Sequence, residues 1–354
     1  MKRYKKVIIL TGFYAPSIGG MEKRLEKWAS VLLKDGIDIK VFTTALFSDV
    51  THEVLEGVSV SREGHNFNEW IAGAQQYVRK NCDTDTAILV AALGPGMDAG
   101  LLQCLQYAHE RGVHVVMSVP TADHLDRAIA RNKGGKEFLE QVDRLITMSD
   151  DVEEFSLYSR DVVYLPNFIM DHDLLKLSDS YPSEDYVAFF GRIARRKRPE
   201  ILVEVANLLP SDFKLIVQGP AGYGEEALYK DTVSALKVQH AKVIKPDKAP
   251  SHQVMEAKYF INPSEVEGCS NALLEAMNRG SIPLVSDIKE NRRVLGDLVP
   301  LCINGAGSYI KVLSAIEKSD ESRKIQESMR KHIIDNYSEQ KNSTKLIDAL
   351  AVFS

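Results

Sequence analysis

Short β-branched runs alternate with longer helical periods along this chain, and the alternation occurs twice. That pattern leaves little room for anything but parallel sheets with helices packed on their faces. The first series offers strands at 7–10, 39–42, 88–91, 113–119, 145–147 and 162–165. Between the first two, Leu25, Trp28, Ala29 and Leu32 recur at i, i+3, i+4 and i+7, which is one face of a helix over 21–34. The polar stretch 49–69 shows neither period and is expected to be irregular. A second series has strands at 187–190, 214–218, 243–245, 259–261, 283–285 and 298–302. Its helices fit at 199–209, 225–239, 251–257 and 271–278. Beyond residue 307 two or three helices and no strand are expected.

Two series in 354 residues predict an α/β chain of two Rossmann-like, doubly wound domains, because single cores stop growing at about 250–300 residues. The expected bounds are 1–170 for the first domain and 186–335 for the second. Residues 171–185, rich in Asp, Ser and Leu, are expected to link them, and 336–354 to form a closing helix able to pack back on the first domain. The net charge of −5 gives no electrostatic reason to bind nucleic acid. The basic start Met1-Lys2-Arg3-Tyr4-Lys5-Lys6 leads into only four apolar residues. That is too short for a signal peptide or a membrane span, so membrane contact is expected to be peripheral at most. The four cysteines, Cys82, Cys104, Cys269 and Cys302, lack C-x-x-C spacing. They argue against a zinc site or a disulfide framework and fit a reducing, cytoplasmic setting, with the inner membrane face as the peripheral option.

Ligands in such sheets bind at the carboxyl ends of strands, and three segments fall there. The first is Thr11-Gly12-Phe13-Tyr14-Ala15-Pro16-Ser17-Ile18-Gly19-Gly20, which runs into the helix at Met21. Gly19 and Gly20 would let backbone N–H groups approach an anion at a helix start, although glycines after a strand equally make a plain turn. The second is Gly191-Arg192-Ile193-Ala194-Arg195-Arg196-Lys197-Arg198, with five cations in the seven residues from Arg192. A charge run is usually a solvated face, but one placed directly after a strand suits a diphosphate, with Arg192 and Lys197 as contacts. The third runs from Asn262 through Glu267-Gly268-Cys269-Ser270-Asn271 to Glu275. Its two glutamates flank a helix start whose amides could address an anion or a sugar edge, and a capped amphipathic helix is the alternative. Asp83-Thr84-Asp85 has D-x-D spacing but precedes its strand and reads as a turn, so no metal site is expected.

The run Glu267–Glu275 resembles the E-x7-E signature of retaining GT-B glycosyltransferases, above all family 4 of that class, the group 1 enzymes. Pro263-Ser264 before it and Ala276-Met277-Asn278-Arg279-Gly280-Ser281-Ile282-Pro283-Leu284-Val285 after it are similar to the same family pattern. Gly191-Arg192 with Lys197 resembles its phosphate-binding G-R-x-x-x-x-K, and Gly19-Gly20 its glycine loop. Leu165-Pro166-Asn167-Phe168-Ile169 is similar to its I-P-N-G-V-D, without the Gly and Asp. The resemblance implies a GT-B fold with two domains facing a cleft. It implies metal-independent transfer of a hexose-type sugar with retention, in glycan or glycoconjugate biosynthesis. A UDP-sugar is the first-choice donor, no cofactor is needed, and the acceptor is a glycan, lipid-linked or small-molecule hydroxyl.

By the same resemblance Gly20, Arg192 and Lys197 would hold the diphosphate and Glu275 the ribose. Glu267 and the amides of Gly268, Cys269 and Ser270 would hold the sugar, with Gly191 and Asn271 lining the donor. Cys269-Ser270 stands where the family carries Phe-Gly, which puts the sugar in doubt. After the strand at 113–119 the family's active-site His is replaced by Pro120 or Thr121, so Thr121, Asp123 and His124 are the candidates for acceptor or sugar contact. That departure keeps open a silent nucleotide-sugar-binding partner subunit, with a GT-B-like sugar-nucleotide epimerase as a further alternative.

Overall fold

The computed structural model describes residues 2–91, 99–131, 135–159, 161–239, 241–247, 249–303 and 305–353. The chain divides into two compact units, residues 1–166 with 342–354 and residues 167–341.

In the first unit, β1 (Lys2–Arg3) pairs antiparallel with β15 (Val352–Phe353). The main sheet has eight strands: β2 (Lys6–Leu10), β3 (Asp38–Thr43), β4 (His52–Leu55), β5 (Val58–Arg62), β6 (Thr86–Val90), β7 (His114–Val119), β8 (Arg144–Thr147) and β9 (Val162–Tyr164). Their order is β4-β5-β3-β2-β6-β7-β8-β9, parallel except for the β4–β5 pair. From β2 the chain first builds outward to β3 and later returns to build the other way from β6. The switch point of this sheet therefore lies between β2 and β6.

Alternate residues Ile8, Leu10, Ile88, Val90, Val115, Met117 and Val119 give one face of the core. Trp70, Ile71, Ala74 and Val78, on one stripe of the helix Phe67–Asn81, cover that face. A fully buried side chain of this size contributes roughly 1.5–3 kcal/mol, so the stripe is what holds that helix in place.

The second unit has five parallel strands: β10 (Glu184–Phe190), β11 (Lys214–Gln218), β12 (Lys242–Ile244), β13 (Ala257–Asn262) and β14 (Ile282–Val285). Their order β12-β11-β10-β13-β14 puts the switch point between β10 and β13. Helices Ala306–Ser319 and Ser322–Asn336 follow, and the helix Glu339–Leu350 belongs mostly to the first unit.

Four expectations differ from the structure. The stretch 49–69 holds the hairpin β4–β5 and the start of the helix Phe67–Asn81. An exposed edge strand has no apolar face to advertise, which hid it. The apolar run at 298–302 forms no strand, only a single bridge between Ser286 and Cys302. The tail adds β15, two residues long and without a period to read.

The supposed linker 171–185 lies within the second unit and is fastened there by Arg330. Fully buried, Arg330 donates to the carbonyls of Lys176, Asp179, Ser180, Asn278 and Arg279 at 2.6–2.9 Å and stacks 3.7 Å over the Tyr181 ring.

The basic N-terminus is paired with acids of its own unit: Arg3 with Asp35, Lys6 with Asp83 at 2.6 Å and Lys5 with Asp85 at 3.5 Å. Asp83 also accepts from the Thr86 hydroxyl and the Asp85 amide, so the D-x-D spacing is a turn. Among the described residues no helix is long and apolar enough to cross a membrane. No described group of three or more His, Cys, Asp or Glu is placed to hold a metal ion.

Candidate functional site

β10 delivers the basic segment. Gly191 N–H donates to the Gln218 carbonyl at 3.0 Å, and the backbones after β10 and β11 then run in close approach. A Cβ on Gly219 would fall 1.8 Å from the Gly191 oxygen, so only glycine fits there. Ile193 N–H donates to Pro220 O at 2.8 Å and Gly222 N–H returns to Ile193 O at 2.9 Å. Residues Arg195–Lys197 make one 3₁₀ turn, ended by Arg198 at φ 49°, ψ 59°. That left-handed conformation costs a non-glycine residue roughly 1–2 kcal/mol. It turns the chain sharply into Pro199, where the helix Pro199–Leu208 begins.

β13, beside β10, delivers the acidic segment. Glu267, in the loop after this strand, is 6% exposed. Its Oε1 accepts from Lys197, from Asn262 Nδ2 at 3.1 Å and from the Ser264 hydroxyl at 2.7 Å. Arg196 Nη1 stands 3.9 Å from Oε2. Glu265 N–H donates to Arg196 O at 3.0 Å, so backbone as well as side chains join the two loops. Burial alone would push the Glu267 carboxyl up, but Lys197 and Arg196 outweigh it and hold it down to about 2. Burial lowers the Lys197 ammonium, with Glu267 pulling the other way. The Ser286 hydroxyl donates to Ser264 O and extends the network to the end of β14.

The helix Asn271–Arg279 starts at this point. Ser270 caps it, its hydroxyl accepting from Leu273 N–H at 3.3 Å. Gly280 closes it at φ 90°, where a Cβ would meet the Tyr181 ring at 2.4 Å. Glu275 sits half-buried one turn in, four residues before Arg279. Burial lowers the Arg279 guanidinium, and Glu275 opposes that shift.

Gly191, Arg192, Lys197, Glu267, Gly268, Cys269, Ser270, Asn271 and Glu275 thus follow the two strands that flank the switch point of the second unit. Lys197 and Glu267, expected as separate contacts for diphosphate and sugar, are partners of one another. In the first unit Gly19 and Gly20 open the helix Gly20–Lys34 after β2, where the Ser17 hydroxyl donates to Glu22 at 2.9 Å. Thr121, buried, and His124 follow β7 and share a hydrogen bond of 2.7 Å through His124 Nδ1. The side chain of Asp123 lies outside the described residues. Asn262 and Ser264 were quoted from the sequence without a role, and Ser286 and Arg330 were not singled out. Short polar residues bordering the glutamate motif were the available signal for the first two.

Two doubly wound units of this kind define the GT-B architecture. Sucrose-phosphate synthase from Thermosynechococcus elongatus superposes with a TM-score of 0.76 at 15% identity, covering 96% of each chain. Anabaena HepE in complex with UDP-glucose gives 0.71 at 13%, covering 97% of this chain and 98% of that one. A point mutant of S. aureus TarM, in complex with fondaparinux, α-GlcNAc-glycerol and UDP, gives 0.72 at 11%, covering 98% and 99%. The fold is GT-B.

Residues 175–340 match the family model of glycosyl transferases group 1, which places the match in the second unit. A curated relative, the capsular polysaccharide biosynthesis glycosyltransferase CapH of Staphylococcus aureus, is 29% identical over 117 residues. That match spans 31% of this chain and about a third of the relative, 33% of its length. The second unit is thus similar to the group 1 glycosyltransferases, within a chain of GT-B fold.

Proposed function

We propose that the chain is a retaining glycosyltransferase that moves a hexose-type sugar from a UDP-sugar to a hydroxyl acceptor in glycan or glycoconjugate biosynthesis. The observation that carries this reading is the meeting of a cationic loop and an E-x7-E helix start at the switch point of the second unit. An ammonium has three donors, and Glu267 takes one from Lys197, so two remain for diphosphate oxygens. Arg192, half-buried on the same loop, adds a forked donor suited to phosphate. As the sugar–phosphate bond breaks, negative charge builds on the leaving diphosphate, and fixed cations stabilise it without reorganising. Glu275 takes the ribose hydroxyls, while Glu267 and the amides of Gly268, Cys269 and Ser270 face the sugar. The UDP and UDP-glucose held by relatives of this fold support the donor class.

The test is a panel of UDP-, GDP- and ADP-sugars in thermal-shift and hydrolysis assays, followed by NMR of the product anomer. A UDP-sugar that stabilises the protein and is consumed with retention is expected. Inversion, or preference for another base, contradicts the reading in that particular. Binding with no turnover on any acceptor would leave a nucleotide-sugar-binding subunit instead.

A further inference from the structure

Asn167 is the first residue of the second unit and is 4% exposed. Hydrogen bonds fasten its neighbourhood to residues 337–339. Ile169 N–H donates to Tyr337 O at 2.7 Å, Glu339 N–H returns to Ile169 O at 2.8 Å, and Asp171 N–H donates to the Glu339 carboxylate at 3.0 Å. Phe168 and Ile169 are buried on the same segment. From this rail the Asn167 side-chain Nδ2 donates to the Cys269 carbonyl, 102 residues on in sequence. A carbonyl only accepts, so the amide has one possible orientation, with Oδ1 turned away. That Oδ1 is buried without a hydrogen-bond partner among the described residues. Keeping an acceptor in that state is costly, and the single bond to Cys269 is what the arrangement secures.

The peptide between Cys269 and Ser270 is planar and trans, so its C=O and N–H point in opposite directions. A hydrogen bond that pins the carbonyl therefore aims the Ser270 N–H away from Asn167. Ser270 is also the cap of the helix Asn271–Arg279, so its backbone direction is passed to the first helical turn. We propose that Asn167 is a positioning residue for the transferred sugar: by clamping the Cys269 carbonyl it aims the Ser270 amide at the sugar, not at the nucleotide. This inference rests on the donor reading given above.

The measurement compares Kd for UDP with Kd for the UDP-sugar found in the panel, by titration calorimetry, in the wild type and in Asn167→Asp and Asn167→Ala. Aspartate keeps the shape but replaces the donor with an acceptor that repels the Cys269 carbonyl. Both variants are expected to bind UDP as the wild type does. They should lose the extra affinity contributed by the sugar, and kcat should fall about tenfold, the effect of one hydrogen bond. Undiminished sugar-dependent affinity and turnover in Asn167→Asp would overturn the inference while leaving the donor reading intact. A parallel loss of UDP affinity would also overturn it, by showing a general collapse of the loop. Absence of nucleotide binding by the wild-type protein would remove the donor reading itself, and the inference with it.

Discussion

The Lys197 ammonium donates to Glu267 Oε1 across 70 residues of sequence, joining the loops that follow β10 and β13. Neither partner is more than 12% exposed at its side chain, so the pair lies in a medium where removing one charge is expensive. Lys197→Met or Glu267→Gln alone should each destabilise the protein by roughly 3–5 kcal/mol. The double variant should lose less than the sum. Urea unfolding of all four proteins completes the cycle, and strict additivity would show that the two groups do not act together.

The same pair sets an acid limb. Glu267 has its carboxyl lowered in the fold from 4.5 to about 2, so its contribution is fully present above the unfolded value. The contribution is lost as pH falls from about 5 toward 2 and amounts to about 3 kcal/mol. Glu267→Gln should unfold with a visibly flatter pH dependence over that window. An unchanged acid limb would mean that other carboxylates govern it.

The proposed role of Arg192 and Lys197 at the diphosphate predicts both a mutational and a chemical result. Arg192→Ala should weaken UDP by roughly 1.5–3 kcal/mol in calorimetry, as the loss of a charge-assisted bond. EDTA should leave turnover largely intact. Full loss on chelation that magnesium or manganese restores would reassign the charge neutralisation to a metal.

Glu275→Gln and Glu267→Gln should fail in different ways. A ribose contact is uniform binding, so losing it should raise the donor KM and weaken free UDP. Glu267 holds Lys197 and, on the proposed reading, faces the sugar, so its loss should lower kcat, with a smaller effect on UDP. If both variants weaken UDP equally and spare kcat, the division of roles between the two glutamates is wrong.

Arg330 fills five carbonyls from one guanidinium, and lysine offers only three donors on a single atom. Arg330→Ala should cost roughly 3–5 kcal/mol, since it leaves buried carbonyls unsatisfied. Lysine should recover only part of that. Limited proteolysis gives a local readout, because cleavage within 171–185 should accelerate in both variants. Equal cleavage rates would show that the segment is held by other means.

Strands with two buried faces announced themselves, because β2, β6 and β7 each carry at least three consecutive apolar residues. Edge strands did not: β4 reads His-Glu-Val-Leu, and its exposed face erases the signal. The candidate site residues were legible one loop at a time, since glycine and charge directly after a strand single out a loop. Their pairing was hidden, because it depends on β10 lying beside β13, and strand order is not written in local periodicity. The Asn167–Cys269 and Arg330 bonds were hidden for the same reason, as each joins segments more than 50 residues apart.

The first unit is completed by residues that come after the whole of the second. Arg144 holds the carbonyls of Asp348 and Ala349 at 2.9 and 3.3 Å, Tyr4 N–H donates to Ala351 O at 2.7 Å, and β1 has β15 as its partner. On the ribosome, synthesis runs from the N-terminus, so the eight-stranded sheet emerges early while β1 and Tyr4 wait for the tail. The second unit is one uninterrupted stretch and can close while that wait continues. Vectorial synthesis therefore reverses the usual order of domain completion in this chain, with the unit that starts first finishing last.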